Sequence, residues 1–108
     1  MTVRSGMEFA HAFGTASTAT IAVVPAVAGQ RVYVFRAKVT TGSPAVTLVF
    51  QDTSGAAVSQ IHQLPANSTL WLDNDGEAWY QTAPGLGLQM VQSGTSPIGY
   101  DIYYGQGP

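Results

Sequence analysis

The chain has 108 residues, 45% of them hydrophobic and 9% charged, with a net charge of −2 and no cysteine. That is the length of one domain, able to bury a core without disulfide or metal staples, and thiolate chemistry is excluded. A basic footprint is missing, so nucleic acid is excluded as the main partner. No stretch approaches the roughly 18 apolar residues of a membrane helix, so no membrane partner is expected. Ordinary soluble domains carry about 25% charged residues. So little charge beside so many apolar residues predicts a surface covered by other subunits.

The first residues, Met1-Thr2-Val3-Arg4-Ser5-Gly6, lead into no apolar run of the secretory kind, which predicts synthesis in the cytoplasm. Residues 1–16 hold Phe9 and Phe13 but little periodicity, and read as an N-terminal arm or an edge strand. From Thr18 onward the apolar positions recur with a period of two, the mark of strands. Thr, Val, Gly and Pro are abundant and Glu and Lys scarce, which disfavours helices. Thr18 to Val24 alternates with Ala19, Ile21 and Val23 on one face. Arg31 to Thr40 is the clearest strand: Tyr33, Phe35, Ala37 and Val39 suit a core face, and Val32, Val34, Arg36, Lys38 and Thr40 a wet or partner-covered one. Gly42-Ser43-Pro44 is a turn cluster. Val46 to Gln51 follows with Val46, Leu48 and Phe50 inward, so the two runs predict a β-hairpin.

Shorter strands are predicted at Ala57 to Leu64, Ser68 to Leu72, Ala78 to Thr82 and Gly87 to Gln92, each behind a turn signal. Ile98 to Tyr104 places Ile98, Tyr100, Ile102 and Tyr104 on one face, and Gly105-Gln106-Gly107-Pro108 reads as a flexible tail. The expectation is a single all-β domain over 17–104 with about eight strands, as a sandwich or barrel.

Catalytic equipment is hard to find. A nucleophile needs a base within reach, and the only histidines, His11 and His62, read as surface or interface residues. Neither shows metal-ligand spacing. Asp73-Asn74-Asp75-Gly76-Glu77 is the one acidic cluster. Asp73, Asp75 and Glu77 offer oxygen ligands for Ca²⁺, but the spacing does not match a helix–loop–helix calcium loop, and Asn and Asp also simply make turns. No cofactor is expected: Gly85-Leu86-Gly87 is too short for a dinucleotide fingerprint. Trp71, Trp79 and Tyr80 have three readings: core filling, an interface anchor, or a platform on which sugar rings stack. Leu70 and Leu72 share a face that Trp71 does not, so Trp71 points away from the main core. Phe9, Phe13, Arg36, Lys38 and Trp71 are the interface candidates.

Several segments together resemble the small head-decoration (cement) and accessory virion proteins of tailed bacteriophages. They are Ala26 to Val34, the run Val46 to Gln51, Leu64-Pro65-Ala66-Asn67, Ala78 to Leu88, and the glycine-interrupted strand Ile98-Gly99-Tyr100. The likeness is one of pattern and composition and spans about residues 16–104. It implies a β-sandwich close to a jelly roll, a homotrimer, contacts with the major capsid protein or other virion proteins, a place on the capsid surface, and no catalytic residues. The acidic turn at 73–77 departs from the pattern and leaves open a cation at a subunit junction. A glycan- or receptor-binding module of a phage tail or fibre is the alternative.

Overall fold

The computed structural model describes residues 7–73 and 78–108. Among them are nine strands: β1 (Glu8–Ala16), β2 (Thr20–Val24), β3 (Arg31–Thr41), β4 (Val46–Asp52), β5 (His62–Leu64), β6 (Thr69–Asp73), β7 (Tyr80–Gln81), β8 (Leu88–Gln92) and β9 (Ile98–Gly107). They form two antiparallel sheets. One runs β1-β9-β3-β6, with β7 beside β6 on the same flank of β3; the other runs β2-β8-β4-β5. The chain changes sheet from β1 to β2, β2 to β3, β3 to β4, β5 to β6, β7 to β8 and β8 to β9. That is the jelly roll, two Greek keys folded face to face.

The core lies between the sheets. Val32, Val34, Val39, Leu48, Phe50, Met90, Ile98 and Ile102 are fully buried there. The alternation read from Val46, Leu48 and Phe50 and from Ile98, Tyr100, Ile102 and Tyr104 holds, all seven packing inward.

The clearest predicted strand is where the face assignment fails. Val32 and Val34 are in the core, while Tyr33 and Phe35 lie on the other face. The cause is a β-bulge: Val34 pairs with Tyr104 and Arg36 with Tyr103, so Phe35 is an extra residue. One extra residue shifts the alternation by one, and past the bulge Ala37, Val39 and Thr41 take the inner face.

The predicted hairpin is also absent. β3 and β4 lie in different sheets, and 42–45 carries the chain across the sandwich. Gly42 N–H donates to the Pro97 carbonyl at 2.9 Å and Ser96 Oγ donates to the Pro44 carbonyl, so the crossing is pinned to the approach of β9 rather than folded back on itself. The strand expected over Ala57 to Leu64 contracts to His62–Leu64, because Ser59 Oγ takes the Phe50 N–H that a regular ladder would use. Gly105–Gly107 close β9, paired with Arg31–Tyr33, and are not a tail. Residues 8–16 are the edge strand β1, in unbroken register with β9.

Asp52 shapes the turn after β4. Its carboxylate accepts from Ser54 Oγ and from the N–H groups of Ser54 (2.9 Å) and Ala56 (3.2 Å). These bonds, the Ser54 hydroxyl foremost, hold its pKa below the ordinary 3.8 against the opposing effect of burial.

Two measurements test these assignments. Val34→Ala should cost about 2 kcal/mol in urea unfolding, the value of two buried methyls, and Arg36→Ala less than about 1 kcal/mol; an unbulged strand would put Val34 on the outer face and make its truncation nearly silent. Asp52→Asn should lower stability by about 2 kcal/mol at pH 7, the worth of hydrogen bonds to a charged group. Because the folded-state pKa is depressed, this advantage is present above pH 3.8 and disappears as pH falls through the folded value, so the stabilities of the two proteins should converge in acid, below the ordinary carboxylate range.

Candidate functional site

The two sheets turn very different outer faces to their surroundings. On β2-β8-β4-β5 the outward residues are uncharged and carry no ring: Ala22, Gln89, Gln51, Thr47 and Val49, with Gln89 bonded to Gln51 at 2.9 Å. On β1-β9-β3-β6 the outward positions hold most of the exposed aromatic residues.

The register of that sheet builds the face in rows. One row reads Trp71, Lys38, Asp101, Phe13 across β6, β3, β9 and β1; the next reads Asp73, Arg36, Tyr103, His11. Beyond them Phe35, turned outward by the bulge, lies 5.6 Å from the Phe9 ring. Gly105 makes room for it: a Cβ there would stand 3.0 Å from the Phe35 ring and 2.5 Å from Met7 Sδ. Phe13 and Trp71 remain 70% and 62% exposed.

Charge is woven between the rings. Arg36 reaches the Asp73 carboxylate with Nε and Nη2, both at 3.2 Å, and its guanidinium stands 5.8 Å from the centre of the Tyr103 ring. Lys38 Nζ sits 5.2 Å from the centre of the Trp71 ring. His11 stacks flat on Tyr103, centroids 4.3 Å apart and planes 2° from parallel, while its Nε2 lies 3.0 Å from Asp101 Oδ1. Each cation thus has an aromatic or acidic neighbour, and each exposed contact of this kind is worth only about 0.5–1 kcal/mol. A cleft of about 250 Å³ opens between Trp71 and Tyr103, with Arg36, Lys38 and Asp101 around it.

The five interface candidates from the sequence, Phe9, Phe13, Arg36, Lys38 and Trp71, therefore share one sheet face. The platform of Trp71, Trp79 and Tyr80 is not assembled. Tyr80 turns inward, 5.4 Å from the Phe50 ring, with its hydroxyl 3.2 Å from His62 Nε2, whereas Trp71 faces out. Burial moves the His62 pKa down and the Tyr80 pKa up, as for neutral groups folded into the edge of the core. Of the calcium candidates, Asp73 is paired with Arg36, and Asp75 and Glu77 lie outside the described residues. Among the described residues no three His, Asp or Glu side chains cluster as metal ligands.

Sequence reasoning missed Phe35, Asp101 and Tyr103, and read His11 only as a surface or interface residue without placing it in this face. The period-two signal was present for three of them: Phe9-His11-Phe13 alternates, and Asp101 and Tyr103 oppose the inward Ile102 and Tyr104. Phe35 was hidden by the bulge.

No family model matches the chain and no curated protein matches it in sequence. Among solved structures it is similar to a chain of the Bacillus endospore appendages, a family of disulfide-linked pili, with a TM-score of 0.55 at 13% identity, covering 94% of this chain and 85% of that one. It is also similar to a chain of the cyanophage Pam1 capsid asymmetric unit, with a TM-score of 0.48 at 10% identity over 99% of this chain and 89% of that one. At these identities the likeness to the appendage chain shows the fold alone, and this chain has no cysteine with which to form a disulfide.

A ring that belongs to a contact face rather than to the core should be dispensable for folding. Trp71→Ser should change the urea unfolding free energy by less than about 1 kcal/mol, while Leu72→Ala, one residue along and inward, should cost about 2–4 kcal/mol.

Proposed function

We propose that this protein is a structural virion subunit that decorates and cements the head of a tailed bacteriophage, acting through protein–protein contacts and without catalysis. The observation that carries this reading is the outer face of β1-β9-β3-β6. Aromatic residues and arginine are enriched at the centres of protein interfaces, and here Phe9, Phe13, Trp71, Tyr103 and Arg36 lie on one side of one sheet. Four strands about 4.8 Å apart and about nine residues long make a face on the order of 600 Å². A standard interface covers roughly 800 Å² per partner, so one such face supports a modest contact. Repetition in a homotrimer on a shell turns modest contacts into avidity. Both imidazoles are engaged within the fold, His11 with Asp101 and His62 with Tyr80, which fits a role without acid–base work.

The Trp71–Tyr103 cleft favours one second reading, a glycan module, with a sugar ring lying on either aromatic face and its hydroxyls near Lys38 and Asp101.

Co-sedimentation with undecorated heads of the encoding phage separates the two. Saturable binding that weakens at least tenfold in Trp71→Ala/Tyr103→Ala is the expected result. Absence of binding, with Trp71-dependent signals on a glycan array, would replace the first reading by the second.

A further inference from the structure

Strand edges are templates for other strands, and soluble proteins blunt them with short length, bulges, proline or charge. Three of the flanks here are blunted. β2 carries a bulge between Ala22 and Val24 and runs into Pro25. β5 has three residues and stops at Pro65. On the far flank of β3, β7 has two residues and β6 has five, ending on Asp73, which Arg36 holds. Of these devices β1 has only the charge of Glu8, at its first residue. Its nine residues, Glu-Phe-Ala-His-Ala-Phe-Gly-Thr-Ala, contain no proline, lysine or arginine, and pair with β9 from Glu8↔Gln106 to Ala16↔Ile98 without a break.

The direction of its free hydrogen-bonding groups follows from the ladder. The Val32 and Val34 carbonyls accept from Thr82 N–H at 3.0 Å and Trp79 N–H at 2.7 Å, away from β9. At the other end Thr41 N–H donates to Ser68, again away from β9. Hydrogen-bonding direction alternates along a strand. Tyr33, and after the bulge Lys38 and Thr40, therefore turn toward β9, and their partners Gly105, Asp101 and Gly99 turn toward β3. The even-numbered residues of β9 are left to bond β1, through Ala10, Ala12, Gly14 and Ala16. Phe9, His11, Phe13 and Thr15 consequently point their N–H and C=O groups outward, with nothing paired to them among the described residues.

We infer that β1 pairs antiparallel with β1 of a second copy of this chain, about a two-fold axis through Ala12, joining two five-stranded sheets into one. This register sets Phe9 opposite Thr15 of the second copy and His11 opposite Phe13, which are the residues whose backbone groups are free. It uses all four outward residues of each strand, whereas a slip of two residues in either direction loses a pair and sets His11 against His11 or Phe13 against Phe13. Charge and shape agree with it. Glu8, the one charged side chain of the strand, meets Ala16, and on the inner side Ala12 meets Ala12 and Ala10 meets Gly14, so no like charges or bulky groups collide. The outer faces continue across the joint and double the aromatic surface. A two-fold joint of this kind is compatible with trimers, which it would link in pairs, and it stands whether or not the virion reading does.

The chain's lack of cysteine makes the register directly testable. Ala12→Cys places two thiols on directly opposed residues, within the Cα separation a disulfide needs. Ala16→Cys places them about 27 Å apart, eight residues along at about 3.4 Å each. Under mild oxidation, Ala12→Cys should run as a covalent dimer on a denaturing gel and Ala16→Cys as a monomer. Phe13→Pro removes only an outward N–H and should abolish self-association in sedimentation velocity, while Phe13→Thr retains it. Equal cross-linking at both positions, or at neither, would overturn the proposal, as would self-association that survives Phe13→Pro.

Discussion

The extra residue at Phe35 is the constraint on which the arrangement of this molecule depends. A strand as long as β3 must serve β6 and β7 on one side and β9 on the other, and must present apolar side chains to the core along its whole length. Its sequence offers Val32 and Val34 in one phase and Ala37 and Val39 in the other. Only a one-residue insertion reconciles them. The same insertion leaves two consecutive side chains, Phe35 and Arg36, on the outer face. Phe35 lies against Phe9 over the bare backbone of Gly105, and Arg36 reaches both Asp73 and Tyr103. Core continuity and surface chemistry therefore have one local cause.

The scarcity of charge takes on a particular meaning in this frame. The charged side chains Arg36, Lys38, Asp73 and Asp101 sit on one sheet face, among rings, and compensate each other there. The opposite sheet turns outward glutamine, threonine, alanine and valine. A neutral, ring-studded face has little long-range field to steer a partner and considerable area to bury against one, which suits close-range contact rather than electrostatic capture.

Much of this was legible from residue order. The strands with clean alternation, Val46 to Gln51 and Ile98 to Tyr104, kept their predicted faces, because nothing in their pairing departs from regularity. The outward turn of Trp71 followed from Leu70 and Leu72. What could not be read was anything depending on a distant partner. The bulge in β3 exists relative to β9, nearly seventy residues on. The hairpin predicted across Gly42-Ser43-Pro44 gave way to a crossing because Pro97 and Ser96 hold that segment from elsewhere. The separation of Tyr80 from Trp71 depends on the register of each short strand against β3, which sets Trp71 beside the outward Lys38 and Tyr80 beside the inward Val34, and the two-residue β7 is too short to signal its register locally.

The position of β9 has a consequence for how the molecule comes together. This strand lies between β1 and β3, so the larger sheet has no contiguous middle until residues 98–107 are present. Closing that gap joins segments about ninety residues apart along the chain, and such distant pairings are the slow kind. Until then one edge of β3 lacks its hydrogen-bonding partner, and the two halves of the larger sheet stay apart.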